Sequence, residues 1–332
     1  MGKGIESINS AKGRLTWINI VNAQKKEVEY LRRKYKFNEL DLKDAYAEKY
    51  AQRPKFYVRN GYFFLILQFP VYNDKTCTIE AEEVDFFIGN NFIITLHENN
   101  LTPLVELFSL CSSDSFYREQ YFSSVPSLLY EIISNLQEYC HPILDHLSLD
   151  IKAIEKNIFS GLERKMVTEI LYIKRNILSF RKIMQAHKNV IQKLAREKML
   201  AAPLEKARVL LNTPTKNRQD IWSEEKSKIY FNDLIERTKD IWDNLGEQKE
   251  MIEALEDTNS SLVSFKLNDI MRVLTIFSVI ILPLSFLAGV FGMNTVAGMP
   301  FINNPQGFWM IVLIMLLISL IMILFFKRKK WL

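Results

Sequence analysis

The chain has 332 residues, with 43 Lys and Arg against 38 Asp and Glu, a net charge of +5. The charge is segregated: from Val273 to Phe326 there is no Asp, Glu, Lys, Arg or His. That layout excludes an ordinary soluble globule and points to an aqueous body followed by membrane-embedded chain.

The N-terminal stretch MGKGIESINSAKGRL holds no apolar run, so no secretory signal is expected. Ser7 stands one place beyond the myristoylation pattern. Cys77, Cys111 and Cys140 form no CxxC pair. Three scattered cysteines argue against a disulfide framework and suit a reducing cytoplasm.

Residues 14–110 alternate between strand-like and helix-like text. TWINIVN, KFYVRN, YFFLILQFPVY, EVDFFIG and NFIITLHE are short, rich in aromatic and β-branched residues, and bounded by Asn, Gly or Asp. Residues 23–50 and 103–121 read as helical. The expectation is an α+β domain over residues 1–122 with a largely antiparallel sheet. After Ser123 the text is helical throughout. Leu129, Ile132, Leu136, Tyr139, Ile143, Leu147, Ile151, Ile154 and Ile158 recur every three or four residues, as on one helix face. Ser160-Gly161 breaks this pattern, and a second helix is expected from Leu162 to Lys198. Residues 201–220 hold Pro203 and Pro214 and read as an irregular connection. From Trp222 onward no proline occurs until Pro283. One helix could therefore run from the body into the membrane, on the order of 100 Å at ~1.5 Å per residue. A single chain cannot bury such a helix, which implies oligomerisation. The long-helix and stalk region is expected over residues 123–271.

Charge differs between these helices. Residues 162–208 carry 12 bases and 4 acids, and residues 224–257 carry 11 acids and 5 bases. Asp233, Glu236, Asp240, Asp243, Glu247 and Glu250 form an acidic stripe. It is either a solvated face, a cation attractor, or a partner for the basic helix before it.

Residues 272–332 complete the chain as a two-helix transmembrane hairpin. Residues 273–291 and 308–326 are each long enough to cross a hydrocarbon core of ~30 Å. The uncharged loop 292–307, GMNTVAGMPFINNPQG, is short and rich in Gly, Pro and Asn. Lys327, Arg328, Lys329 and Lys330 form a basic collar after the second span, and Lys266 and Arg272 precede the first. The positive-inside rule therefore puts the loop outside and both termini in the cytoplasm.

The tripeptide Gly292-Met293-Asn294 closes the first span and opens the outer loop. In that setting, followed by a second span ending KRKKWL, it resembles the CorA family of divalent metal-ion transporters. LNDIMRVLTIFSVIILPLSFLAGVFGMN is similar to the family's first span along its whole length, and RPKFYVRNGYFFLI and YFNDLIERT also look like family segments. The resemblance implies a funnel-shaped homopentamer in the plasma (inner) membrane of a bacterium. The first span would line the pore and the second would pack outside it. It implies transport of Mg2+, Co2+ and Ni2+, or Zn2+ in the ZntB-like branch. It implies no enzymatic cofactor and no nucleic-acid partner.

On the first span, Asn268, Met271, Thr275, Ser278, Leu282, Ser285, Gly289 and Gly292 share one face at steps of three and four. From spacing alone, pore lining and helix packing are equally good readings of these small and polar residues. The resemblance favours pore lining and adds Leu274. It matches Asp233 to a regulatory Mg2+ ligand on the stalk and Asp257 to an acidic ring at the cytoplasmic mouth. By that resemblance the Asp233 ligand lies between subunits, with a partner from the N-terminal domain of the neighbour; Asp74, in the turn VYNDKT, is the candidate for it.

The outer loop TVAGMPFINNPQG lacks the acidic residue that many family members carry. That leaves an Mg2+ channel driven by membrane potential and a Zn2+ transporter, possibly proton-coupled, as rivals. Against zinc, His97, His141, His146 and His187 do not cluster in the sequence. A membrane-anchored scaffold is the third reading. An enzyme is disfavoured, since no nucleophile–base pair, metal-ligand motif or phosphate loop occurs.

Overall fold

The computed structural model describes residues 5–11, 13–46, 53–98, 101–196, 224–293, 300, 304–329 and 331. The chain divides into two compact units, residues 1–256 and 257–332. The irregular connection expected at 201–220 and most of the outer loop lie outside the described residues.

The first unit is built on a six-stranded sheet of order β1-β2-β6-β5-β4-β3. Its strands are β1 Ile5–Asn9, β2 Thr16–Val21, β3 Lys55–Arg59, β4 Tyr62–Asn73, β5 Thr78–Gly89 and β6 Phe92–His97. All neighbours are antiparallel except β2 and β6, which run parallel. The parallel pair needs a crossover. Helices α1 Lys25–Tyr35 and α2 Glu39–Asp44 lie in the chain between β2 and β3. Pro70 is tolerated inside β4 because β3 pairs only as far as Ile66, leaving one side of β4 free there.

Period-two alternation divides each strand between two cores. Under α1 and α2, Leu31, Phe37 and Leu42 pack on Ile18, Ile20, Phe64, Ile66, Phe87, Ile94 and Leu96. On the other face Trp17 is fully buried, edge-on to Phe108 at 5.0 Å, and its Nε1 donates to Thr95 Oγ1 at 3.0 Å. Each large apolar side chain so buried contributes roughly 1.5–3 kcal/mol.

The helical part comprises α3 Thr102–Ser113, α4 Ser115–Tyr121, α5 Val125–Glu138, α6 Cys140–Phe159, α7 Glu163–Met184 and α8 His187–Arg196. Two expected long helices are each divided. The α5–α6 break falls at Tyr139. Pro142 explains it, because proline has no N–H for the Glu138 carbonyl and its ring crowds that group. The second break, at Gln185-Ala186, precedes His187, which is buried with Nε2 on the Gln68 carbonyl. Asn176 of α7 ties the helices to the sheet. Its Oδ1 accepts from Ile79 N at 3.1 Å and its Nδ2 donates to Cys77 O at 3.0 Å.

Helix α9 runs unbroken from Glu224 to Phe291 with Pro283 inside it. Its first part buries Phe231, Leu234, Thr238, Ile241, Leu245, Gln248, Ile252 and Leu255 at helical spacing. Two glutamine clasps fix this stripe. Gln137 of α5 donates to Leu234 O and Thr238 Oγ1 at 3.1 and 2.8 Å. Gln248 of α9 donates to Leu144 O and Ser148 Oγ of α6, both at 2.9 Å. In each clasp one amide meets a carbonyl and the hydroxyl one turn further along.

The second unit holds the rest of α9 and α10 Gly307–Arg328. Both helices are long and apolar enough to cross a membrane.

Candidate functional site

In the second unit, each helix withdraws one narrow stripe from solvent. On α9 it runs through Ile276, Ile280, Pro283, Leu287 and Phe291; on α10 it runs through Ile311, Met315, Ile318, Met322 and Phe326. At about 100° per residue, Met271, Leu274, Ser278, Leu282, Ser285, Gly289 and Gly292 lie on the opposite side of α9 from that stripe. These residues, with Asn268 and Thr275 at the edge, are all exposed, Leu282 most of all at 72%. One chain thus leaves the whole candidate face uncovered.

The face has a defined polarity. Thr275 Oγ1 donates to Met271 O at 2.7 Å, and Ser278 Oγ donates to Leu274 O at 2.9 Å. Each hydroxyl proton is committed to the backbone, so each oxygen offers only lone pairs outward. Water bound to a cation presents hydrogens outward, and such oxygens suit it. Between these positions, Met271, Leu274 and Leu282 are apolar. Gly289 has open space where a Cβ would stand. At the helix end Gly292 N donates to Ala288 O at 2.9 Å, and a Cβ on Gly292 would meet that same oxygen at 3.0 Å. Met293 is exposed, and Asn294 lies outside the described residues.

At the other end of the unit, Lys327, Arg328 and Lys329 are exposed after the apolar run of α10. They sit where cations favour a helix C-terminus. Trp331 stacks on Phe326 at 5.8 Å. Lys330 lies outside the described residues.

The three candidate regulatory acids stand in different surroundings. Among the described residues no group of three potential metal ligands forms. Asp233 is already engaged, since its Oδ2 accepts from Arg237 Nε at 2.8 Å and from Tyr130 OH at 2.9 Å. Arg237 also reaches Glu138 Oε2 at 3.1 Å. Burial, and then the Asp233 hydrogen bond, push the Tyr130 hydroxyl up. Asp257 is exposed on α9, with its backbone carbonyl accepting from Ser261 Oγ at 2.9 Å. Asp74 is exposed in the β4–β5 turn.

The family described as "CorA-like Mg2+ transporter protein" matches residues 12–328. The chain belongs to the CorA family. The "Cobalt/magnesium transport protein CorA" of Methanocaldococcus jannaschii is 24% identical over 327 residues, 98% of this chain and 94% of that protein. The complete structure of that CorA magnesium transporter covers the same shares at a TM-score of 0.78. The Thermotoga maritima protein of the same description is 27% identical, covering 96% of this chain and 83% of that one. Full-length CmaX superposes with a TM-score of 0.68 at 18% identity, covering 96% of this chain and 89% of that one. The fold is therefore that of full-length CorA, and CorA proteins are transporters, not enzymes. Together with the two apolar helices, the match makes this chain a membrane protein.

Within this CorA chain, the groups that would favour a soft metal stay apart. His97 is buried between Asn19 Oδ1 at 3.1 Å and Glu98 O at 2.6 Å, and burial lowers its pKa. His187 is held neutral by complete burial, which takes its pKa down to about 4. Cys140 is buried while the adjoining His141 is exposed. Sequence reasoning missed Tyr130 and Arg237 around Asp233, and the two glutamine clasps. Thr238 and Gln248 stand at regular positions of the apolar stripe of α9, and that misplaced polarity was the available signal.

Proposed function

We propose that this CorA chain forms a homopentameric pore that admits divalent cations, Mg2+ foremost, into the cytoplasm down the membrane potential. The observation that carries the reading is the α9 face left uncovered by its own chain, apolar but marked with acceptor-only hydroxyls and carrying no carboxylate. The family resemblance supplies the number five, the outward position of the Gly292-Met293-Asn294 loop and the cytoplasmic position of both termini.

Mg2+ dehydrates reluctantly and keeps its waters. A lining of neutral acceptors holds those waters without trapping the ion, whereas conduction fails if binding is too tight. Leu274, Leu282 and Met271 form apolar constrictions that close by dewetting. Helix α9 ends at Phe291, so its C-terminal carbonyls place a partial negative charge, about half an elementary unit per chain, beside the motif. Five such ends attract a cation where the outer loop offers no acid. A dication gains twice the ~2.3 kcal/mol per charge that 100 mV provides, so inward transport needs no fuel.

Liposomes containing the purified pentamer, with an inside-negative potential, test the reading with Mg2+, Co2+, Ni2+ and Zn2+. Mg2+ entry that rises with potential and ignores a pH gradient is the expected result. Zn2+ entry that requires a proton gradient would replace Mg2+ with the ZntB-like alternative. An assembled protein that passes none of the four ions would be a scaffold.

A further inference from the structure

Strand β5 carries two carboxylates on the face that packs under α2. Asp85 and Glu83 stand two residues apart, so they point to the same side of the sheet. In register, Asp85 lies between Ile66 of β4 and Leu96 of β6, in a row otherwise made of apolar core. It is 4% exposed, and its Oδ1 has no hydrogen-bond partner. The Glu83 carboxylate acts on the Asp85 carboxyl from the same face. Asp44 at the end of α2 and Lys55 on β3, themselves paired at 2.8 Å, also act on it.

Two carboxylates side by side in a poorly solvated site repel when both are charged, which favours a proton on one of them. The orphan oxygen gives a second, independent reason. A neutral carbonyl oxygen without a partner costs about 1–3 kcal/mol when buried, whereas an unpaired carboxylate oxygen costs considerably more. The site is tolerable as an acid and poor as an anion.

We propose that Asp85 and Glu83 form a proton-binding site in the α/β domain, holding one proton between them and releasing it at the expense of α2 packing on the sheet. Burial above all, and then the neighbouring Glu83 charge, raise the Asp85 pKa well above the usual carboxylate range, while Lys55 opposes them. The sign follows from linkage. The folded chain holds a proton that the unfolded chain has already released, so stability falls as pH rises from the ordinary Asp range near ~4 to the raised folded value, and then levels off. In that window the folding constant drops about tenfold per pH unit.

The test uses the full-length protein in detergent, as wild type, Asp85→Asn and Glu83→Gln. Thermal unfolding from about pH 5 to about pH 9, together with the infrared band of a protonated carboxyl, supplies two readouts. Wild type is expected to lose stability relative to Asp85→Asn as pH rises, and to show a protonated-carboxyl band near neutrality that Asp85→Asn lacks. Glu83→Gln offers an amide N–H to the Asp85 carboxylate, so the band should vanish at a lower pH than in wild type. Parallel pH curves for wild type and Asp85→Asn would overturn the proposal, as would a wild type with no such band. If Asp85→Asn does not fold, an unshifted titration in Glu83→Gln overturns it alone.

Discussion

Replacing Asn294 with alanine is expected to abolish divalent-cation uptake while leaving the pentamer assembled. Helix α9 ends at Phe291, and Gly292 and Met293 continue it as a turn. Asn294 follows directly, where the resemblance sets the outer mouth of the pore. In the proposed pentamer its side-chain carbonyl would accept hydrogen bonds from water in the first shell of the ion, and five copies would make a ring of neutral acceptors. Alanine removes all five at once and leaves an apolar mouth, which a hydrated dication cannot enter cheaply. A mass of five chains in detergent should persist. Uptake near the wild-type rate at normal expression would show that selection occurs elsewhere.

The second large effect concerns closure by cytoplasmic Mg2+, which we propose acts through Asp233. Asp233→Asn should raise the Mg2+ concentration needed for inhibition on the order of tenfold, equivalent to ~1.4 kcal/mol. Arg237→Gln should lower it. The guanidinium of Arg237 occupies one carboxylate oxygen of Asp233 at 2.8 Å, and a dication must compete with it. The pair is substantially exposed, with 34% and 42% of the two side chains accessible, so its removal is worth at most ~1 kcal/mol, or about fivefold. Opposite shifts from two adjacent substitutions distinguish a metal ligand from a solvated acid, which would give no shift in either. A ligand that prefers the closed state shifts the population in the required direction. Inhibition curves that coincide for wild type and both variants would move the regulatory site away from Asp233.

Much of the fold was legible because the sequence alternates regularly. The strand text from Thr16 to His97 has period two and aromatic bulk, and the helices from Val125 onward have clean spacing. The unbroken α9 was readable from the absence of proline between Trp222 and Pro283. The α5–α6 break was less visible, because Leu136, Tyr139, Ile143 and Leu147 keep helical spacing across it while Pro142 interrupts the hydrogen bonds. Strand β1 was missed because Ile5–Asn9 is short and sits at the sheet edge, with only Ile5 and Ile8 buried.

The candidate site divides in the same way. Its face on α9 could be listed from spacing, but spacing does not say which side a helix buries. That came from the stripe through Ile276, Ile280 and Leu287, which leaves Leu274, Ser278 and Leu282 outside. The engagement of Asp233 by Tyr130 joins residues 103 positions apart. No local pattern encodes such a contact, and the sequence alone left Asp233 as an acid on a stripe.

Cysteine accessibility along α9 tests the pore assignment most directly. Cys111 and Cys140 are buried and Cys77 is exposed, so replacing Cys77 with serine provides a background with no exposed native thiol. Single cysteines at Leu274, Ser278, Leu282 and Ser285, and at Ile276, Ile280 and Leu287, are then treated with a charged thiol reagent during cation uptake in liposomes. Block of uptake at the first four positions and none at the last three is the predicted result. Block confined to Ile276, Ile280 and Leu287, or equal at all seven, would contradict a pore lined by the face that α9 leaves uncovered.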